Sequence, residues 1–292
     1  MMSLLPCSRR SLFRAVSLML AVLVVAPSAP ALDIFHLDPV INLRFSSGNY
    51  ADGNLKENPH FLLAGHDLSG LGWGPGGNLG LTLISPQHFV TASHVTPLAG
   101  MTVFFCNRDG VIKHYLVESV YYVEHTSGVR TDLALGRLAA PIPPEDHVGF
   151  FPTLRLPSNA DYTGLKVFSF GLYQACGNAT IARWGVFDLL PFNHHDHVAD
   201  DILFMMEWHG GKTGEAQAQG SDSGSPTFVV YQGKLALIGV HSAVEVSYEP
   251  YVTADVLIPA YFTQIQERLA LDGFAFGNSF SPLGGDKSAA SR

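Results

Sequence analysis

From about residue 61 onward, apolar positions come in short runs cut by Gly, Pro and Asn. Clear cases are Leu79–Ile84, Met101–Phe105, Tyr115–Val123, Leu133–Leu138, Lys166–Phe170, Ile202–Glu207, Thr227–Tyr231 and Leu235–Val240. Runs of this length bounded by turn residues predict strands of a sandwich or barrel, with no long internal helix. Near the end the period changes. In the segment from Pro259 to Leu269, the apolar positions 261, 262, 265 and 269 fall on one helical face, and Pro259 suits a helix start. Before residue 61, the stretch 32–60 is polar and rich in Asn, Gly and Ser, and predicts an extension with one short strand at most. Residues 277–292 carry Gly, Ser, Ala and charge, and predict a disordered tail.

The first residues read differently. Arg9, Arg10 and Arg14 precede an apolar run from Ala15 to Val25, followed by the small residues Ala29-Pro30-Ala31. That is the layout of a secretory signal peptide over 1–31, which predicts cleavage before Leu32 and a secreted or periplasmic protein. The run is shorter than the roughly 20 residues a membrane span needs. Ser8-Arg9-Arg10-Ser11-Leu12-Phe13-Arg14 also fits a twin-arginine signal, and both export routes stay open. Cleavage removes three arginines and no acids, so Lys+Arg falls from 17 to 14 against 25 Asp+Glu, a net charge of about −11. An acidic chain without a basic cluster is a poor partner for nucleic acid or anionic membrane. Cys106 and Cys176 remain after cleavage. Export permits a disulfide between them, and two separate buried thiols are the alternative.

Three segments carry chemistry. Gly220-Ser221-Asp222-Ser223-Gly224-Ser225-Pro226 sets a serine in a run of small residues that lets backbone N–H groups approach a bound carbonyl. Leu83-Ile84-Ser85-Pro86-Gln87-His88-Phe89-Val90-Thr91-Ala92-Ser93-His94 ends a β-prone stretch in a histidine. Thr131-Asp132-Leu133-Ala134-Leu135-Gly136-Arg137-Leu138 opens an apolar run with an aspartate. In the order His, Asp, Ser, these segments resemble the trypsin/chymotrypsin-like serine peptidases over roughly residues 61–271. The resemblance implies an all-β fold of two antiparallel six-stranded β-barrels with a C-terminal helix. Barrel one is then expected at about 61–150, barrel two at about 165–258 and the helix at about 259–271, within a peptidase domain of 61–276. The Pro-rich stretch 141–157 falls near the linker.

The resemblance also implies roles. Ser223 becomes the nucleophile, His94 its base and Asp132 the carboxylate that orients the imidazole. The oxyanion hole falls to the N–H groups of Ser221 and Ser223. The family usually has glycine where Ser221 stands, and a positive φ there costs a side-chain-bearing residue about 1–3 kcal/mol. Gly220 next door is the alternative donor. Asp222 matches an aspartate that in many members pairs with a newly cut N-terminus, although no family-type activation site is evident. Val95 stands where the family usually has a half-cystine.

In the primary pocket, Gln217 takes the position where an aspartate selects Arg or Lys, so cleavage after basic residues is not expected. Ser242 matches the serine beside the triad aspartate. His241 is placed just behind the pocket, where in some members a histidine meets a substrate carboxylate. Val244 on the pocket wall offers that carboxylate nothing polar. Glutamate and medium-sized neutral or apolar side chains therefore both remain open.

The expected partners are protein or peptide substrates of a monomer that needs no cofactor and no metal. Two other functions compete: a catalytically silent binding module on the same fold, and an exported metal-binding protein. The second would use Asn193-His194-His195-Asp196-His197, where His195 and His197 share a strand face that zinc or copper accepts. A solvated loop is the simpler reading of that segment.

Overall fold

The computed structural model describes residues 32–47, 50, 55–125, 128–189, 198–245 and 249–276. The expected signal peptide over 1–31, the His194–His197 cluster and the tail expected over 277–292 lie outside the described residues. Barrel one closes in the order β4 (Leu71–Trp73), β5 (Gly80–Leu83), β6 (His88–Ala92), β9 (Arg130–Leu138), β8 (Ile112–Glu124) and β7 (Thr102–Cys106). Barrel two closes as β10 (Lys166–Phe170), β11 (Cys176–Leu189), β12 (Val198–Trp208), β16 (Tyr251–Leu257), β15 (Lys234–Glu245) and β14 (Pro226–Tyr231). Every pairing is antiparallel, and both barrels repeat one connectivity, the fourth strand returning beside the first. This is the two-barrel fold the motifs implied.

Closure explains why apolar runs sufficed to find most strands. A closed sheet has no free edge, and its inward residues fill the lumen. Leu81, Leu83, Phe89, Val103 and Phe105 fill barrel one. Val167, Ile181, Phe204, Val229, Ile238 and Leu257 fill barrel two. A third cluster, including Val90, Leu133, Leu203, Phe228 and Val240, joins strands of both barrels, with Ile265 and Leu269 of the C-terminal helix α2 (Phe262–Leu271) packed into it. Of the expected helical face, Tyr261, Ile265 and Leu269 are buried and Phe262 is partly buried. Strand β11 escaped the apolar-run reading because it exposes Asn178 and Thr180 between buried neighbours, followed by an exposed Arg183.

The 32–60 segment departs from the expected single short strand. It forms β1 (Asp33–Ile34), a helical turn α1 (Pro39–Asn42), β2 (Phe45–Ser47) and β3 (Lys56–Glu57). The ordering comes from long-range partners that a local pattern does not display. Strand β1 pairs with β13 (Ala216–Gln217), matching Asp33 to Gln217. Leu32 and Ile34 are buried against Ala175, Ala216 and Ala218. Asn42 Nδ2 donates to the Cys176 carbonyl at 2.9 Å. Arg44, 2 % exposed, donates to Glu57 at 2.8 Å and to Gln174 Oε1 at 2.6 Å.

Cys106 and Cys176 are free and buried, so the disulfide considered from the sequence is not formed. Each sits in a barrel strand, Cys106 beside Trp73 and Phe45 and Cys176 in the cluster between the barrels. Burial raises both thiols above their ordinary value, which keeps them protonated and inert.

Candidate active site

The site lies where the two barrels meet, because each supplies part of it. Strand β6 runs straight into a short turn, Ser93–Val95, that carries His94. Asp132 sits near the start of β9, and the register Ala92↔Leu133 sets it beside that turn. Ser223 lies on the loop between β13 and β14.

Two features clamp that loop against barrel one. Gly224 has φ +85°, and a Cβ there would lie 2.4 Å from both the Gly80 carbonyl and Thr91 Oγ1. Only glycine meets both conditions. The Gly224 N–H donates to the His241 carbonyl at 3.0 Å. Asp222, 0 % exposed, fixes the other side, its Oδ2 accepting from Gln219 N at 2.7 Å and its Oδ1 from Leu172 N at 2.8 Å.

The three residues form one hydrogen-bonded line. His94 Nδ1 lies 2.8 Å from Asp132 Oδ2 and 2.9 Å from Oδ1, and His94 Nε2 lies 2.8 Å from Ser223 Oγ. An ionised carboxylate only accepts, so Nδ1 carries the proton and Nε2 is left to accept from the serine hydroxyl. Asp132 is 2 % exposed. Besides the ring it accepts from Ser93 Oγ at 3.0 Å, His94 N at 3.1 Å and Ser242 Oγ at 2.5 Å. A buried carboxylate with this many donors is fixed in direction. Such a line can take a proton from a hydroxyl and return it to a leaving group.

The remaining sequence candidates fall as follows. Gly220 and Ser221 are exposed, in a turn closed by Asp222 N–H to the Gln219 carbonyl at 2.9 Å. Neither adopts a positive φ, so Ser221 keeps its side chain without the strain anticipated for it. Gln217 is 2 % exposed in β13, and its Nε2 meets no partner among the described residues. Val244 is half-buried against the Leu32–Ile34–Ala216 cluster.

His241 corrects an expectation. Successive residues of a strand face opposite ways. With Ser242 turned to Asp132, His241 points into barrel two and is 2 % exposed. Its Nδ1 bonds Asp255 Oδ1 at 2.6 Å, and its Nε2 bonds the Phe170 carbonyl at 2.6 Å with Ser169 Oγ at 3.1 Å. Both nitrogens are engaged inside the protein, which removes the case for His241 as a reader of a substrate carboxylate. Burial alone would lower its pKa, but Asp255, helped by Asp222 and the Phe170 carbonyl, holds it above the ordinary value.

The sequence reading did not single out Ser93, Asp201, Asp255 or Tyr261. Of these, Asp255 did leave a trace, as a lone charge inside the apolar strand Thr253-Ala254-Asp255-Val256-Leu257. Asp255 Oδ2 accepts from Thr227 Oγ1 at 2.5 Å in addition to its histidine.

A family model for trypsin matches residues 76–266, which takes in most of both barrels and all three residues of the line. The chain belongs to the trypsin family. Its function is accordingly that of a serine-protease-type hydrolase, with proteins or peptides as substrates. No curated protein matches the chain.

Proposed function

We propose that this trypsin-family protein is an exported serine endopeptidase working through an acyl-enzyme with Ser223, His94 and Asp132. The observation that carries the reading is the unbroken line from buried Asp132 through His94 to Ser223 Oγ, 2.8 Å from Nε2. In this reading Ser223 Oγ attacks the scissile carbonyl as its proton passes to His94 Nε2. Asp132 steadies the imidazolium so formed. The same proton then goes to the departing amine, and a water activated by His94 releases the acyl group. Among the described residues, the N–H groups of Ser221 and Ser223 meet no acceptor, which favours them as donors to the developing oxyanion. A silent binding module does not need this alignment, and nothing favours the metal-binding alternative.

Neutral side chains fit the primary pocket best. Gln217 brings no negative charge to the position where an aspartate would select Arg or Lys. Export supplies the maturation step. A Cβ on Gly171 would meet both Leu32 Cβ and Asp222 Oδ1 at 2.7 Å. Cleavage before Leu32 therefore frees an α-ammonium close to a buried carboxylate that burial, against its two backbone bonds, holds above its ordinary pKa. No helix among the described residues is long and apolar enough to cross a membrane.

The test is hydrolysis by the chain starting at Leu32, on matched peptides ending in Gln, Leu, Glu and Arg before the scissile bond. The reading expects cleavage, with kcat/KM higher for Gln and Leu than for Glu or Arg. No hydrolysis of any of them, with Ser223 inert to a serine-directed probe, would reject it in favour of the binding module.

A further inference from the structure

Behind the Asp132 carboxylate lies a second one with no part in the line just described. Asp201, on β12, is 0 % exposed. Its Oδ2 accepts the main-chain N–H of Asp132 at 2.7 Å, and its Oδ1 accepts the Tyr261 hydroxyl at 2.6 Å. Tyr261 Oη accepts in turn from Ile202 N at 2.8 Å. These bonds run from the turn that starts the terminal helix, through barrel two, to the backbone of the catalytic aspartate in barrel one.

An acid is an expensive choice for this place. The charged or titratable groups that face it are Asp132 from β9 and Tyr261 from the terminal turn, and neither is a cation. Burial pushes the Asp201 carboxyl up and the Asp132 charge adds to that, against the bonds from Tyr261 and the Asp132 N–H, leaving it at about 6. A neutral acceptor could take the same N–H without that penalty. What an ionised acceptor adds is a stronger and better-directed bond to the N–H it holds. Here that N–H belongs to the residue whose side chain orients His94.

We propose that Asp201 is a positioning residue: its carboxylate, locked by Tyr261, holds the main chain of Asp132, so that barrel two and the terminal helix set the aim of the triad. The proposal rests on the serine-protease reading above. It explains why a carboxylate is tolerated without a cation between two apolar barrels. It also assigns the terminal turn a part in the reaction, although Tyr261 never approaches the substrate.

The experiment compares wild type, Asp201→Ala, Asp201→Asn and Tyr261→Phe in the chain starting at Leu32. The readouts are the rate of Ser223 labelling by a fluorophosphonate, kcat and KM on a peptide, and the low-field NMR resonance of the His94 Nδ1 proton. Misplacing a catalytic group by about an ångström costs on the order of 100-fold. Asp201→Ala is therefore expected to slow labelling and kcat by roughly 10- to 100-fold with KM within about twofold, and Tyr261→Phe by a smaller factor.

Asp201→Asn keeps an oxygen for the Asp132 N–H but cannot titrate. It should recover most of the rate at pH 8 and lose less of it than wild type between pH 7 and pH 5. A folded Asp201→Ala protein labelling within twofold of wild type would overturn the proposal. So would an Asp201→Asn pH profile that superimposes on wild type, a result readable even if the alanine variant does not fold. If wild type itself neither labels nor hydrolyses, the protease reading fails separately. The NMR arm then decides on Asp201 alone: a His94 Nδ1 resonance shifted or broadened in Asp201→Asn supports positioning, and an unchanged one rejects it.

Discussion

Two of the histidine–aspartate pairs among the described residues, His94–Asp132 and His241–Asp255, have opposite fates. In His94–Asp132 the ring nitrogen Nδ1 meets a buried carboxylate at 2.8 Å; in His241–Asp255 it does so at 2.6 Å. The difference lies at the other nitrogen. His94 Nε2 faces a serine hydroxyl, and its side chain is 42 % exposed. His241 Nε2 faces the Phe170 carbonyl, and its side chain is 3 % exposed. A hydroxyl can give up its proton and a carbonyl has none, so the first ring can act as a base. The second must carry a proton on both nitrogens and is a fixed buried cation. One short-range motif thus yields a candidate catalyst or a structural ion pair, depending on what the fold brings to Nε2.

The sharpest break in this comparison is to remove each histidine in turn. His94→Ala, like Ser223→Ala, is expected to lower kcat by about 10⁴- to 10⁶-fold, the order established for triads of this family, with the thermal midpoint little changed. His241→Ala should do the reverse. It leaves Asp255 buried without its partner, a loss of about 3–5 kcal/mol of stability, while the folded fraction still labels at Ser223. Probe labelling alongside urea unfolding checks both. Comparable losses of labelling in the two variants would erase the distinction.

Acidity separates the buried groups further. His241 is held above its ordinary value, so its stabilisation is fully present below about pH 6.5 and is lost as pH rises through the raised value. The stability gap between wild type and His241→Ala should therefore narrow on the alkaline side. Asp201 behaves oppositely to a salt-bridged acid. Raised from 3.8 to about 6, it penalises the folded state increasingly as pH climbs between those values. Asp201→Asn should gain on wild type from pH 4 to pH 7 by on the order of 3 kcal/mol, read from urea midpoints. A constant gap would mean that Asp201 titrates normally. Activity and stability are then opposed at one residue, since the same carboxylate is proposed to aim Asp132.

A smaller effect is expected at Ser242, whose hydroxyl donates to Asp132 at 2.5 Å. Hydrogen bonds to a charged group contribute about 1.5–3 kcal/mol, so Ser242→Ala should lower kcat roughly tenfold or somewhat more. Ser93 and the His94 N–H remain to hold the carboxylate. Least of all should reductant matter. With Cys106 and Cys176 unpaired, thermal midpoints with and without it should coincide.

The three chemical segments were legible because each lies in one stretch of chain whose neighbours dictate its local shape. Gly224 is an example, since its place in the small-residue run already implied a tight turn. The barrels were legible from apolar runs for the same reason. What the sequence hid depends on pairing between distant strands. Asp201 and Asp132 are 69 positions apart and meet only when β12 comes up against β9. The elements β1 to β3 and α1 were missed because polar residues among them find buried partners such as Gln174 and the Cys176 carbonyl more than a hundred positions away. His241 was offered as a partner for a substrate carboxylate, a task its two engaged nitrogens do not leave open. Strand alternation fixes which way it points, whereas the Phe170 carbonyl that occupies its Nε2 arrives from β10.

The central claim is that Ser223, activated by His94, is the nucleophile. Reaction of the chain starting at Leu32 with a fluorophosphonate, followed by intact mass and peptide mapping, tests it most directly. The account predicts one adduct per molecule, on Ser223, formed at neutral pH and abolished in His94→Ala. An adduct on another serine, or labelling of Ser223 at an unchanged rate in His94→Ala, would contradict it.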